Sequence, residues 1–179
     1  MPLALSKALR RTFGADIPIQ RCQIHKARNI TYRLAPKYHA TVRRTLKQAW
    51  EMDDAEKAER IIRNLARSFE TKAPDVSRSI LEGIDEIPTV VRLGLPLELR
   101  RSLASTNIIE SMNSVIRQVY RNVKRWRDAK MALRWTAAGM FEAKKGFRRL
   151  KAYKQLPVLK QALLDHRQKD QLDHLKDLE

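Results

Sequence analysis

The stretch DDAEKAERIIRNLARSFE, residues 53–70, sets Ala58, Ile61, Ile62, Leu65 and Phe69 at the three- and four-residue intervals that line one side of an α-helix. Asp53 or Asp54 precedes the run as an N-cap. Such a stripe must be buried against other helices, and Pro74, Pro88 and Pro96 cut the following sequence into further short helices. A helical hairpin or small bundle is therefore expected from Tyr38 to about Arg101. Ahead of it, Leu3, Leu5, Leu9 and Phe13 fall at helical spacing before Gly14, a plausible C′ residue. The segment DIPIQRCQIH alternates Ile17, Ile19 and Arg21 after a turn at Ala15 and Asp16, which predicts one strand. A helix through KARNITYRLA should stop near Pro36. Beyond Pro157, Leu159, Leu163, Leu172, Leu175 and Leu178 predict an exposed amphipathic or fraying helix. The fold class expected is mainly α, with about one strand and no internal repeat.

At 179 residues and 43% hydrophobic, the chain suffices for one domain with a real core. Its net charge of +17 calls for a polyanionic partner, and nucleic acid is the leading candidate. An anionic membrane surface would answer the same charge, but no apolar run approaches the roughly 18 residues of a spanning helix. The N-terminal MPLALSKALRRTFG has its basic residues behind the apolar stretch, the reverse of a secretory signal, so a cytosolic protein is expected. One cysteine excludes an intrachain disulfide. Cys22 and His25 offer two soft ligands where a zinc site usually takes four, so a packing role is expected for them.

The charge is concentrated late. Arg100–Lys154 holds fifteen Lys and Arg against Glu110, Asp128 and Glu142, hence +12 of the total. Within it, RNVKRWRDAKMALRW interleaves Trp126 and Trp135 with cations, a composition able to stack bases and clamp phosphates. Trp126 continues the apolar stripe of the preceding helix, and Trp135 shares a helical face with Met131 and Ala138. Both rings are therefore expected to be buried. The contacts expected with DNA are phosphate contacts from Arg117, Arg121, Lys124, Arg125 and Arg127, which set position rather than read sequence.

One acid stands inside this basic region. In STNIIESMNSVIR and the residues after it, Ile109, Met112, Ile116, Val119 and Val123 make the apolar stripe of a helix expected from about Asn107 to Val123. Glu110, Asn113, Ser114, Arg117, Arg121 and Lys124 lie opposite. Asn107-x-x-Glu110 has capping-box spacing, and the helix dipole favours a first-turn carboxylate by roughly 0.3–1 kcal/mol. The alternative is a ligand for a divalent cation that bridges to phosphate. Spacing alone leaves both open.

The stretch STNIIESMNSVIRQVYRNVKRWRD resembles the segment around the third acidic residue of bacterial Mutator-type insertion-sequence transposases. Its motif is matched by Thr106, Asn107, Glu110, Asn113 and Arg117, with Ser105 in place of a threonine. IQRCQIHKARNI resembles the same family's Cys-x-x-His element at Cys22 and His25, and LGLPLELRRSLASTN fits the approach to the Glu motif. The resemblance covers nearly the whole chain. It implies an RNase H-like α/β fold with an all-helical insertion, and an Asp-Asp-Glu set that binds Mg²⁺ for DNA cleavage and strand transfer. On that basis residues 1–36 would be a truncated remnant of the core, 37–101 the insertion, 102–154 the core helices with the Glu motif and basic face, and 155–179 a charged tail.

Glu110 would then be the catalytic and metal-binding carboxylate of an incomplete site, with both aspartates expected upstream of Met1. Asp16 lies too close before the strand to replace them, and Asp53, Asp54, Asp75 and Asp85 fall in the insertion. Two Mg²⁺ ions roughly 3.5–4 Å apart need several carboxylates, so the piece is expected to hold no metal stably and to be inactive alone. The partners expected are DNA and either a full-length transposase or a second copy, and the location the bacterial cytoplasm, at the nucleoid. Two rival readings are a non-enzymatic regulator that docks through an exposed sheet edge and a general basic helical nucleic-acid-binding module.

Overall fold

The structure, a computed structural model, describes residues 3–176, and the side chains of residues 4–169. It divides into two compact units: one holds the chain up to Ser105 together with the chain from Lys151 onward, and the other is Thr106–Leu150. The described residues contain helices and turns and no strand. No helix among them is long and apolar enough to cross a membrane.

The larger unit opens with α1 (Leu3–Phe13), which ends where the Gly14 N–H bonds back to the Arg10 carbonyl at 3.0 Å. After an extended segment come α2 (Gln23–Tyr32), α3 (His39–Glu51) and α4 (Ala55–Ser68). Then follow α5 (Pro74–Leu81), the single turn α6 (Thr89–Arg92) and α7 (Leu97–Leu103). Asp54 is the N-cap of α4, and its carboxylate accepts from the backbone N–H groups of Glu56 and Lys57. Pro74 occupies the first turn of α5, while Pro88 and Pro96 cap α6 and α7, so each predicted break falls at a helix start.

The stripe on α4 does what its spacing requires. Ala58, Ile62, Leu65 and Phe69 are buried with Val42 and Leu46 of α3, Ile30 of α2, and Val76 and Ile80 of α5; Ile61 lies at the edge of this core. Tyr38 meets Phe69 edge-to-face at 5.6 Å. A smaller cluster gathers Val90, Leu95, Leu99 and Ala152, with Leu159 and Ala162 of the final helix packed against it. That helix is Leu156–Lys176; Leu163 is partly exposed, and Leu172, Leu175 and Leu178 lie outside the described side chains.

The segment predicted as a strand is corrected by the structure. Residues 17–22 are extended but pair with no other strand. Their polar groups are met by the turn at 84–90 instead. The Arg21 N–H donates to the Glu86 carbonyl at 2.9 Å, and the Thr89 hydroxyl donates to the Ile19 carbonyl at 2.7 Å. The Gln20 amide donates to the Ile87 carbonyl and accepts from the Val90 N–H. The alternation of apolar and polar residues is real, since Ile19 is buried. Its polar members bond a turn, however, and the backbone is satisfied without a ladder.

Two cations fasten this segment to the end of α5. The Arg21 guanidinium bonds Glu86 at 2.7 Å and Glu82 at 3.2 Å and lies over Gly83, whose φ of +62° and missing Cβ leave it room. Lys26, only 6% exposed, donates its ammonium protons to the carbonyls of Ser79 and Glu82, where the α5 dipole is negative. Burial, with the nearby Arg21 charge, lowers the Lys26 pKa from 10.5 to about 8, against the opposing pull of Glu82.

The pH dependence follows. Below about pH 8 both folded and unfolded chains carry the Lys26 proton, and the cost of burying the charge is borne in full. Between about 8 and 10.5 the unfolded chain binds more protons, so stability should rise with pH across that window, by at most about 3 kcal/mol. Urea unfolding at about pH 7.5 and about pH 10 should show this gain in the native chain and its loss in Lys26→Met.

Candidate nucleic-acid interface

The smaller unit is a helical hairpin built from α8 (Asn107–Val119) and α9 (Ala129–Lys144). Its seam is tight. A Cβ added to Gly139 of α9 would stand 2.8 Å from the Ile116 Cα of α8, so the backbones approach as closely as a glycine allows. Ile116 is the buried residue of α8; Met112 and Val119 are half-buried beside it. Ile109, predicted to share that stripe, is 51% exposed. A unit of two helices has one partner surface to offer, which covers the middle of the stripe and leaves its start uncovered. The helix also stops four residues short of Val123, because Tyr120 closes it and the Val123 N–H turns back to the Tyr120 carbonyl.

Glu110, Asn113 and Arg117 all fall on α8 at three- and four-residue spacing, so they share one face, and all three are exposed with Asn107. The N-cap is Thr106 rather than Asn107, and the Thr106 hydroxyl donates to the Glu110 carboxylate. Cys22 and His25 are in the other unit, at the start of α2, with Sγ and Nδ1 3.2 Å apart and both half-buried. Among the described residues no three His, Cys, Asp or Glu side chains gather as a metal site. The carboxylates present therefore do not fit the several-ligand site that a pair of Mg²⁺ ions requires.

Charge is distributed differently in the two units. In the larger one several acids meet cations distant in the chain: Arg21 pairs with Glu82 and Glu86, Arg92 with Glu59, Arg100 with Asp53, and Arg101 with Glu51. The hairpin has eleven Lys and Arg against three acids, and each acid is engaged locally. Glu110 accepts from Thr106, Asp128 caps α9 by accepting from the Met131 N–H at 2.6 Å, and Glu142 pairs with Lys145. Arg117, Arg121, Lys124, Arg125 and Arg127 are exposed and form no ion pair among the described residues. They run from the end of α8 into the connection to α9.

Both tryptophans are more open than their place in the pattern predicts. Trp126 is 44% exposed and rests edge-on against Tyr120 at 5.4 Å. Trp135 is 37% exposed and lines a shallow cleft with Arg127, Asp128, Met131, Arg134 and Ala138. This cleft adds Arg134 to the five cations chosen from the sequence. Its four-residue spacing from Lys130 on α9 was a signal available for both.

A helical chain with a basic hairpin of this kind is suited to a polyanionic partner, and comparison specifies the family. The family described as "Transposase, Mutator family" matches residues 3–149, and the chain belongs to it. It is similar to the transposase for insertion sequence element IS905 of Lactococcus lactis subsp. lactis (strain IL1403), 29% identical over 115 residues. That alignment takes in 63% of this chain and 29% of the relative, so the chain spans less than a third of that protein's length. No solved structure matches.

The seam yields a stability prediction. Gly139→Val forces a branched side chain against the Ile116 backbone and should cost roughly 2 kcal/mol or more. Hydrogen exchange of α8 and α9 amides should accelerate, while those of α4 keep their protection.

Proposed function

We propose that the chain is the DNA-contacting C-terminal part of an insertion-element transposase and that the α8–α9 hairpin grips the phosphate backbone. The observation that carries this reading is the run of exposed cations from Arg117 to Arg127, free of ion pairs among the described residues, on a unit whose acids are engaged locally. Membership of the Mutator transposase family supports DNA as the polyanion. Arginines favour phosphate because their planar forks donate two bonds at once, and backbone contacts position a duplex without reading it. Trp126 and Trp135 stand beside these cations with half-open faces suited to an unpaired base.

In this reading the helices before Ser105 correspond to the all-helical insertion and flanking parts of an RNase H-like transposase domain. Glu110 is the motif carboxylate this chain brings to the DNA face, its hydroxyl partner being Thr106. When bound in a longer transposase, Mg²⁺ would supply charge neutralisation at the transferred phosphate. The 179 residues alone bind DNA without cutting it. The site of action is the bacterial cytoplasm, at the nucleoid.

Fluorescence anisotropy with a labelled duplex tests the reading. Five phosphate contacts predict a log–log salt slope of about −4 to −5, falling to about −2 in the Arg121→Gln/Arg125→Gln/Arg127→Gln variant. Glu110→Gln should bind at least as tightly as the native chain, and neither should nick DNA in Mg²⁺ or Mn²⁺. A salt-independent affinity, or cleavage that vanishes in Glu110→Gln, would contradict the proposal.

A second reading is association with a full-length transposase or another copy of this chain, and the uncovered apolar side chains of the hairpin favour it. Leu133 and Phe141 are each 71% exposed. The surface offered is helical rather than a sheet edge. Sedimentation of Phe141→Ser beside the native chain separates the two readings, since only association predicts a mass that falls with the substitution.

A further inference from the structure

Three positively charged side chains of the larger unit, Lys47, Arg100 and Arg101, line one cavity. Lys47 and Trp50 are on α3, and Arg100 and Arg101 on α7. With Gln23, Glu51 and Leu97 they line a cavity of about 80 Å³. Arg100 is 5% exposed. Its terminal nitrogens are satisfied by the Met52 carbonyl and by Asp53, both at 2.5 Å. Its Nε–H is buried and meets no acceptor among the described residues. The Trp50 indole N–H is in the same condition, although the Trp50 ring packs against the main core.

Two buried donors without acceptors are costly, each by the desolvation of an N–H left unmade. Both belong to residues that line one small cavity. What fits must accept hydrogen bonds and should be anionic. Lys47 is exposed and makes no ion pair among the described residues, and Arg101 adds a second cation, whereas Glu51 is held by Arg101 at 3.0 Å and Asp53 by Arg100. A volume of this size takes a few waters or one tetrahedral oxyanion.

We propose that this cavity is a phosphate-class oxyanion subsite, in which the Trp50 indole N–H and the Arg100 Nε–H donate to the anion and Lys47 supplies charge. That the anion is a phosphate of a nucleic-acid backbone rests on the function proposed above; the chemistry of the cavity does not. The subsite would give the larger unit its own hold on a duplex, independent of the hairpin.

Indole ¹⁵N–¹H resonances of the full 179-residue chain provide the test. The three tryptophans give separate signals, and Trp50→Phe assigns the relevant one. Inorganic phosphate at constant ionic strength should shift the Trp50 signal saturably and leave those of Trp126 and Trp135 in place. Lys47→Gln, an exposed substitution that keeps the reporter, should weaken the apparent affinity by roughly three- to tenfold. An unmoved signal at up to about 20 mM phosphate means the donors face water only and overturns the proposal. So does an equal shift with chloride, or an affinity indifferent to Lys47→Gln. A duplex oligonucleotide that moves the same signal identifies backbone phosphate as the source. If free phosphate shifts it and the duplex does not, the subsite holds a free oxyanion. If the duplex binds by anisotropy while phosphate leaves Trp50 unmoved, the hairpin reading stands and the subsite falls.

Discussion

The close approach of α8 and α9 at Ile116 and Gly139 is the constraint on which the basic hairpin depends. A unit of 45 residues has little apolar surface to bury, and this one spends much of its surface on eleven cations. Like charges spread over so small a body oppose compaction. What holds it is contact between backbones, made possible because Gly139 adds no side chain where the helices meet. Asp128 contributes by fixing the start of α9, so that the turn from α8 leads into a helix at a defined residue. The cations therefore stand on a defined scaffold, not along a loose basic tail.

The larger unit differs in that several of its arginines are tied to carboxylates distant in the chain. Its exposed ion pairs add little to stability, since such pairs are typically worth about 0–1 kcal/mol. Their effect is to join segments far apart in the chain. Arg21, Arg92, Arg100 and Arg101 each have a carboxylate partner, while Lys26 gives its protons to backbone carbonyls. Cations committed in this manner are structural. Those in the connection between α8 and α9 form no ion pair among the described residues and stand close together in sequence on a small unit.

Much of this was legible because it depends on local rules. The stripe on α4, the Asp54 cap, the three proline breaks and the helix around Glu110 are all consequences of spacing within a few residues. What escaped depends on partners distant in the chain. Lys26 reads as a surface lysine until Ser79 and Glu82, 53 and 56 residues away, come to meet it. Residues 17–22 read as a strand because alternation reports which side chains point inward and not what the backbone bonds to. Ile109 and Trp126 sit on a stripe that a larger domain would cover, and periodicity carries no information about how much of a stripe its neighbours reach. Arg117, Arg121, Lys124, Arg125 and Arg127 were found by composition, while Arg134 needed the fold to bring it beside Trp135.

Glu110 shows how far local physics can go toward explaining the one acid in the first turn of α8. A first-turn carboxylate that accepts a hydroxyl from the N-cap residue is favoured by the helix dipole and would be stable in many unrelated helices. The same arrangement limits the carboxylate to few rotamers, and a metal ligand needs that kind of preorganisation. Capping and ligation are thus compatible, because a side chain oriented in this way stays exposed at the surface. Asn113 and Arg117 follow it on the same face, one and two turns on. A carboxylate on a face that carries cations lowers its positive potential, and the eleven Lys and Arg of the hairpin outweigh it. Helix-start chemistry is thus sufficient to account for an acid at this position, and a role toward phosphate is compatible with it.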